Sequence, residues 1–158
     1  REIHDSGEQE DKQIIEESLS WVDGLHLAQR DYATLSGGEK QRVQIARVLA
    51  QIWQGHQARF LFLDEPLNML DMAHQHLCLN AFRQMAQRNV GVVMILHDIN
   101  LAMQYADDII VLEKGKIVAN GAPACVVTVE LLRQVFRVNA SLLRDEQGAM
   151  FVKVDGYC

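Results

Sequence analysis

Phe60-Leu61-Phe62-Leu63 runs directly into Asp64-Glu65, and Val92-Val93-Met94-Ile95-Leu96 runs directly into His97-Asp98. Neither run alternates with polar residues. A strand that is apolar on both sides of its pleat suits a central place in a parallel sheet, covered on both faces. Between the two runs, Ala73, Leu77, Ala81 and Met85 recur every fourth residue over 73–88, which is helical spacing. Strand, helix and strand in that order make an α/β fold with a largely parallel sheet. Such strands deliver the residues that follow them to the sheet's carboxyl edge, where open α/β sheets bind ligands. Here those residues are two adjacent carboxylates and an imidazole.

The rest of the chain divides around this unit. Residues 1–11 are polar and are expected to be frayed; from Asp11 onward Ile15, Leu19 and Val22 set a helical pattern that ends near Gly24. Residues 25–34 read as a linker. A helix is expected over 38–53, with Val43, Ala46, Ala50 and Trp53 on one face and Lys40 and Arg42 on a solvated one. Further elements are expected as a short helix over 99–106, strands over 109–112 and 116–119 joined at Lys114-Gly115, a helix over 128–137 and a last strand over 149–154. Two domains follow: a helical one over 1–53 and a sheet-bearing one over 54–158.

A net charge of −6 argues against a dedicated nucleic-acid surface. No apolar run approaches the roughly 18 residues that would span a bilayer, so any membrane role passes through a partner. Cys78, Cys125 and Cys158 are odd in number and far apart, which suits a reducing compartment and gives no CxxC zinc site. His74 and His76 are two apart on a helix and do not share a face, so they are not read as metal ligands.

The third informative stretch is Leu35-Ser36-Gly37-Gly38-Glu39-Lys40-Gln41-Arg42-Val43. A serine and two glycines opening a helix leave backbone N–H groups free at its N-terminus. That is a place for phosphate oxygens, and the glycines let ligand and backbone come close. Asp64 at the end of a buried strand suits Mg²⁺, usually through water, and Glu65 one residue further out could polarise a water attacking a γ-phosphate.

The glycine-capped helix, the strand ending in Asp-Glu and the strand ending in His, in that order, resemble the second half of an ATP-binding-cassette (ABC) ATPase. The resemblance implies the C-terminal portion of a P-loop NTPase (RecA-like) parallel sheet, with part of the ABC helical subdomain at the N-terminus. It makes Asp64 the Walker B aspartate, Glu65 the catalytic glutamate, His97 the switch histidine that holds the attacking water, and Asp71 the aspartate of a loop that crosses a dimer interface. Ser36, Gly37, Gly38 and Glu39 then bind the ATP held by a second copy of the subunit, so the family's two-fold dimer sandwiches two nucleotides. The implied cofactors are ATP and Mg²⁺. The implied partners are that second copy and a membrane permease dimer, with a periplasmic substrate-binding protein acting indirectly and no nucleic acid. The implied place is the cytoplasmic face of the bacterial inner membrane.

Leu67 and Met69 depart from the family's commoner loop, which has Thr or Ser after the proline. The phosphate-gripping pattern GxxxxGK[ST] does not occur in the 158 residues, so the chain is expected to be a fragment or truncated product, inactive by itself. Between the SGG helix and the Asp-Glu strand, Gln51-Ile52-Trp53-Gln54-Gly55-His56-Gln57-Ala58-Arg59 is longer than in most relatives. With Gln29-Arg30-Asp31-Tyr32 it resembles the hemin-import ATPases of Gram-negative bacteria, in a broader group that serves iron-siderophore and cobalamin importers. The alternatives are a non-transport ABC ATPase of DNA repair or translation and an inactive remnant that only binds a partner.

Overall fold

The computed structural model describes residues 2–55 and 57–158, so His56 of the long 51–59 stretch lies outside it. It separates into two compact units, residues 1–95 and 96–158. The fold class is α/β, and no described helix is long and apolar enough to cross a membrane.

The first unit opens with helix α1 (Glu2–Ser20), which starts well before the expected Asp11. Residues 7–11 are exposed and carry no apolar side chain, so periodicity cannot reveal this part of the helix. Two 3-10 turns, Leu25–Leu27 and Tyr32–Thr34, lead to helix α2 (Gly37–Gln51). Its buried stripe is Arg42, Ile45, Ala46 and Leu49. That is rotated from the expected face at Val43, Ala46 and Ala50, and it brings Arg42 inside.

Strand β1 (Arg59–Leu63) pairs in parallel with β2 (Val90–Met94), and helix α3 (Met72–Gln87) makes the crossover between them. Phe82, Met85 and Cys78 of α3 are fully buried, and burial pushes the Cys78 thiol up to about 12. Gly91 stands opposite Phe60, and a Cβ there would come within 2.6 Å of the Phe60 ring. The expectation of strands covered on both faces holds on one face only. Leu61 is buried, whereas Phe60 is 64% and Phe62 73% exposed, with Val93 beside them. The hydrophobic stripes are thus correct as strands, but the outward side of this pair has no cover within the unit.

The long 51–59 stretch folds back on the unit. The guanidinium of Arg88 lies 4.8 Å from the Trp21 ring and 4.5 Å from that of Trp53, and Arg59 donates to the carbonyls of Ile52 and Arg88 at 2.6 and 2.9 Å.

The second unit contains helix α4 (Ile99–Tyr105), the hairpin of β3 (Ile109–Glu113) and β4 (Lys116–Gly121), short helices α5 (Pro123–Val126) and α6 (Val129–Gln134), and the strands β5 (Val138–Arg144) and β6 (Met150–Tyr157). Its core is Ile109, Val111, Val126, Val127, Leu132 and Val152. Both of its strand pairs are antiparallel, so β1–β2 is the parallel pairing among the described residues. β5 and α5 were not foreseen, and the helix expected over 128–137 is shorter, capped by Thr128.

Candidate functional site

Ser36 is the N-cap of α2. Its side-chain oxygen accepts from the Glu39 backbone N–H at 3.3 Å, and the Glu39 carboxylate accepts from the Ser36 N–H at 2.7 Å, which closes a capping box. The Glu39 carboxylate also takes a 2.6 Å bond from Arg30. The Ser36 N–H and side chain, aided by Arg30, hold the Glu39 carboxyl down at about 2. Glu39 is therefore occupied in holding the turn, while the N–H groups of Gly37 and Gly38 sit at the helix's positive end.

The glycines have a second reason to be there. A Cβ on Gly38 would lie 2.9 Å from the Met69 carbonyl oxygen, and one on Gly37 3.0 Å from its sulfur. The loop that follows β1 thus presses against the opening turn of α2, and Gln41 fastens the two with a 2.8 Å bond from Nε2 to the Pro66 carbonyl.

Asp64 and Glu65 follow β1 at once, as expected. Asp64 is exposed, and Glu65 is half-buried with a left-handed backbone at φ 47°. Met69 is also left-handed, at φ 67°. Such conformations cost about 1 to 3 kcal/mol each in non-glycine residues and persist where surrounding structure enforces them. Asn68 donates from Nδ2 to Glu65 Oε2 at 2.6 Å and aims the carboxylate. Asp71 ends the loop as N-cap of α3: it accepts from the His74 N–H at 2.9 Å, and its carboxylate lies 2.9 Å from His74 Nδ1. These bonds from His74 lower the Asp71 carboxyl below its usual range.

His97 falls in the second unit, between β2 and α4, three residues past Met94 where β2 ends rather than directly after the strand; it is exposed. Asp98 beside it caps α4 through the Asn100 and Leu101 N–H groups. Ser36, Gly37, Gly38, Asp64, Glu65 and Asp71 all belong to the first unit.

Four side chains here escaped the sequence reading: Gln41, Arg42, Asn68 and His74. Arg42 is not on a solvated face. It is 6% exposed and donates to the backbone carbonyls of Val22 and Asp23, with the Asp23 carboxylate at 3.4 Å. His74 and Asn68 had a usable signal, since each lies three residues after the carboxylate it meets. Arg42 and Gln41 had none, because their partners are 19 to 25 residues distant.

Among the described residues, no group of three or more His, Cys, Asp or Glu could hold a metal ion. Two carboxylates at one strand end fit instead a hard cation that takes one or two protein oxygens and fills its shell with water and phosphate.

The opening turn of α2 is thus packed against the loop that carries Asp64 and Glu65, within one α/β unit. The chain belongs to the ABC transporter family, whose model matches residues 2–68. It is 48% identical over 136 residues to the hemin import ATP-binding protein HmuV of Pseudomonas entomophila, covering 86% of this chain and 53% of that one. With the protein of the same name from Pseudomonas aeruginosa the identity is 46% over 141 residues, covering 89% and 55%. The chain spans about half the length of the curated relatives it matches. Among solved structures, one described as a metal-chelate type ABC transporter in an inward-facing conformation superposes with a TM-score of 0.74 at 27% identity, over 92% of this chain and 57% of that one. A bacterial ABC transporter cassette solved as a dimer gives 0.62 at 26% identity, over 73% and 48%.

Proposed function

We propose that this chain is part of the ATP-hydrolysing subunit of an importer for hemin or a related iron chelate. The observation that carries the reading is the packing of the Ser36-Gly37-Gly38 turn against the Asp64–Asp71 loop in one unit, in a chain 48% identical to a hemin import ATP-binding protein. Residues 1–53 belong to a helical subdomain and residues 54–158 to the C-terminal part of the ATPase core.

In this reading the complete protein binds ATP, and Asp64 would hold Mg²⁺. The ion, when bound, neutralises phosphate charge. Glu65, aimed by Asn68, polarises the attacking water, and His97 steadies that water from the γ-phosphate side. Ser36 and the Gly37 and Gly38 N–H groups receive the γ-phosphate of the nucleotide on a second copy, where helix polarity and close approach favour an anion. Asp71 faces the same interface. The contacts are reciprocal, so the assembly is a two-fold homodimer. Closure and reopening of that dimer drive a membrane permease dimer, which a periplasmic binding protein supplies. The subunit works at the cytoplasmic face of the inner membrane.

Cargo is tested genetically. Deleting the gene from a strain that can draw iron from either hemin or ferric siderophores abolishes growth on hemin and spares growth on ferric siderophores. The opposite pattern moves the cargo to siderophores and leaves the ATPase reading standing.

A further inference from the structure

We propose that His74 is a positioning residue that fixes the Asp71 carboxylate and ties it to the SGG helix of the same chain. The inference rests on the reading of Asp71 and the SGG turn as groups that meet the second subunit's nucleotide.

Asp71 is exposed and, with only its cap bond, would be free to rotate about its side-chain torsions. The structure removes that freedom. The His74 backbone N–H bonds Asp71 Oδ1 at 2.9 Å, and His74 Nδ1 lies 2.9 Å from both Asp71 oxygens. The far side of the same ring meets a different element: Nε2 is 3.5 Å from Asp23 Oδ2. Asp23 ends the turn after α1 with a left-handed backbone at φ 52°, and both its carbonyl and its carboxylate are held by Arg42. Arg42 is buried on α2, one turn beyond Ser36-Gly37-Gly38. His74 therefore stands between two carboxylates, hydrogen-bonded to Asp71 and 3.5 Å from Asp23, and through Asp23 and Arg42 its ring reaches the SGG helix.

A second fastening joins the same two pieces. Gln41 holds the Pro66 carbonyl, and the Met69 carbonyl sits over Gly38. The loop from Asp64 to Asp71 is thus pinned to α2 near its beginning by Gln41 and at its end by His74. Two groups that must arrive together at a nucleotide across an interface are more effective when held in one geometry before they meet it. That is a reason to retain a histidine bridging two acids on an otherwise solvated helix start.

Removing the bridge should slow turnover without weakening the subunit's hold on its own ATP, since neither Asp71 nor the SGG turn contacts that nucleotide in this reading. The test uses the complete protein with its phosphate-binding loop and compares His74→Ala, His74→Asn and His74→Gln. The Asn amide can stand where Nδ1 stands and keep the Asp71 contact. Gln reaches the Nε2 position and keeps the Asp23 contact instead. His74→Ala and His74→Gln should lower kcat about ten- to a hundredfold with KM for ATP unchanged, and His74→Asn should recover most of kcat. An unaltered kcat in His74→Ala, an Asn variant no faster than Gln, or a loss carried by KM overturns the proposal. If His74→Ala melts below the assay temperature, the Asn and Gln pair decides. Glu65→Gln runs alongside: if it keeps turnover, the site reading itself fails. If it abolishes turnover while His74→Gln works at the normal rate, only the positioning role falls.

Discussion

The turn at Ser36 and the strand end at Asp64-Glu65 are held ready by different means. The turn is self-contained: Ser36 and Glu39 cap each other within a single helical turn, and Arg30 from the adjoining segment adds one ion pair. The acidic end combines local bonds with distant ones. Two left-handed residues, an Asn68 bond and fastenings from α2 and α3 keep its loop in shape. Positive helix polarity can be built from neighbouring residues, whereas a pair of carboxylates aimed outward needs help from distant ones. A change at the turn should therefore act locally, and a change at the acid end should act through several partners.

The largest effect expected is on turnover. In the complete protein, Glu65→Gln removes the carboxylate proposed to polarise water and should lower kcat by about 10² to 10⁴, with ATP affinity retained. A rate within a few fold of wild type, measured by phosphate release, would remove Glu65 from the chemistry and leave the acid end merely structural.

The two glycines sharpen the comparison, because they sit at the point where turn and loop touch. Gly38→Ala forces a methyl group against the Met69 carbonyl, a backbone atom, and should destabilise the first unit by about 1 to 3 kcal/mol. Gly37→Ala meets only the exposed, flexible Met69 side chain. It should leave stability unchanged or raise it by up to about 1 kcal/mol, since alanine favours the helix. Its cost should fall on turnover, where the methyl group blocks close approach of phosphate. Chemical denaturation of both variants separates the two glycines; equal losses would mean that the loop does not press on the turn as described.

The smallest effect concerns Glu39. Its carboxyl is depressed in the folded state, from 4.5 to about 2. The cap's contribution is therefore complete above the unfolded value and is lost as pH falls from 4.5 towards 2. The stability difference between wild type and Glu39→Gln should be constant at neutral pH and shrink through that acid window. A difference that persists below it would show that the charge does not matter to the turn.

The same contrast explains what could be read in advance. Ser36 as a cap and the strands ending at Asp64 were legible because both depend on adjacent residues and simple periods. The inward turn of Arg42 was not, since an arginine normally belongs to a solvated face and its partners lie in the segment after α1. β5 was legible in part, since Val138-Asn139-Ala140-Ser141-Leu142 alternates apolar and polar residues before Leu143 breaks the pattern, and it is completed by pairing with β6. The partner of His74 is legible at short range, since Asp71 stands three residues before it at helical spacing. The apolar runs revealed strands but overstated their cover, since the outward face at Phe60 and Phe62 is open.

The account's central claim is that the turn of one copy and the acid end of another enclose a shared nucleotide. Light scattering on the complete protein tests it most directly. With MgATP, Glu65→Gln should persist as a dimer, because the sandwich forms and is not consumed, and adding Ser36→Arg to the same variant should return it to monomer with ATP still bound. A Glu65→Gln protein that stays monomeric with MgATP, or a dimer that survives Ser36→Arg, would contradict the claim.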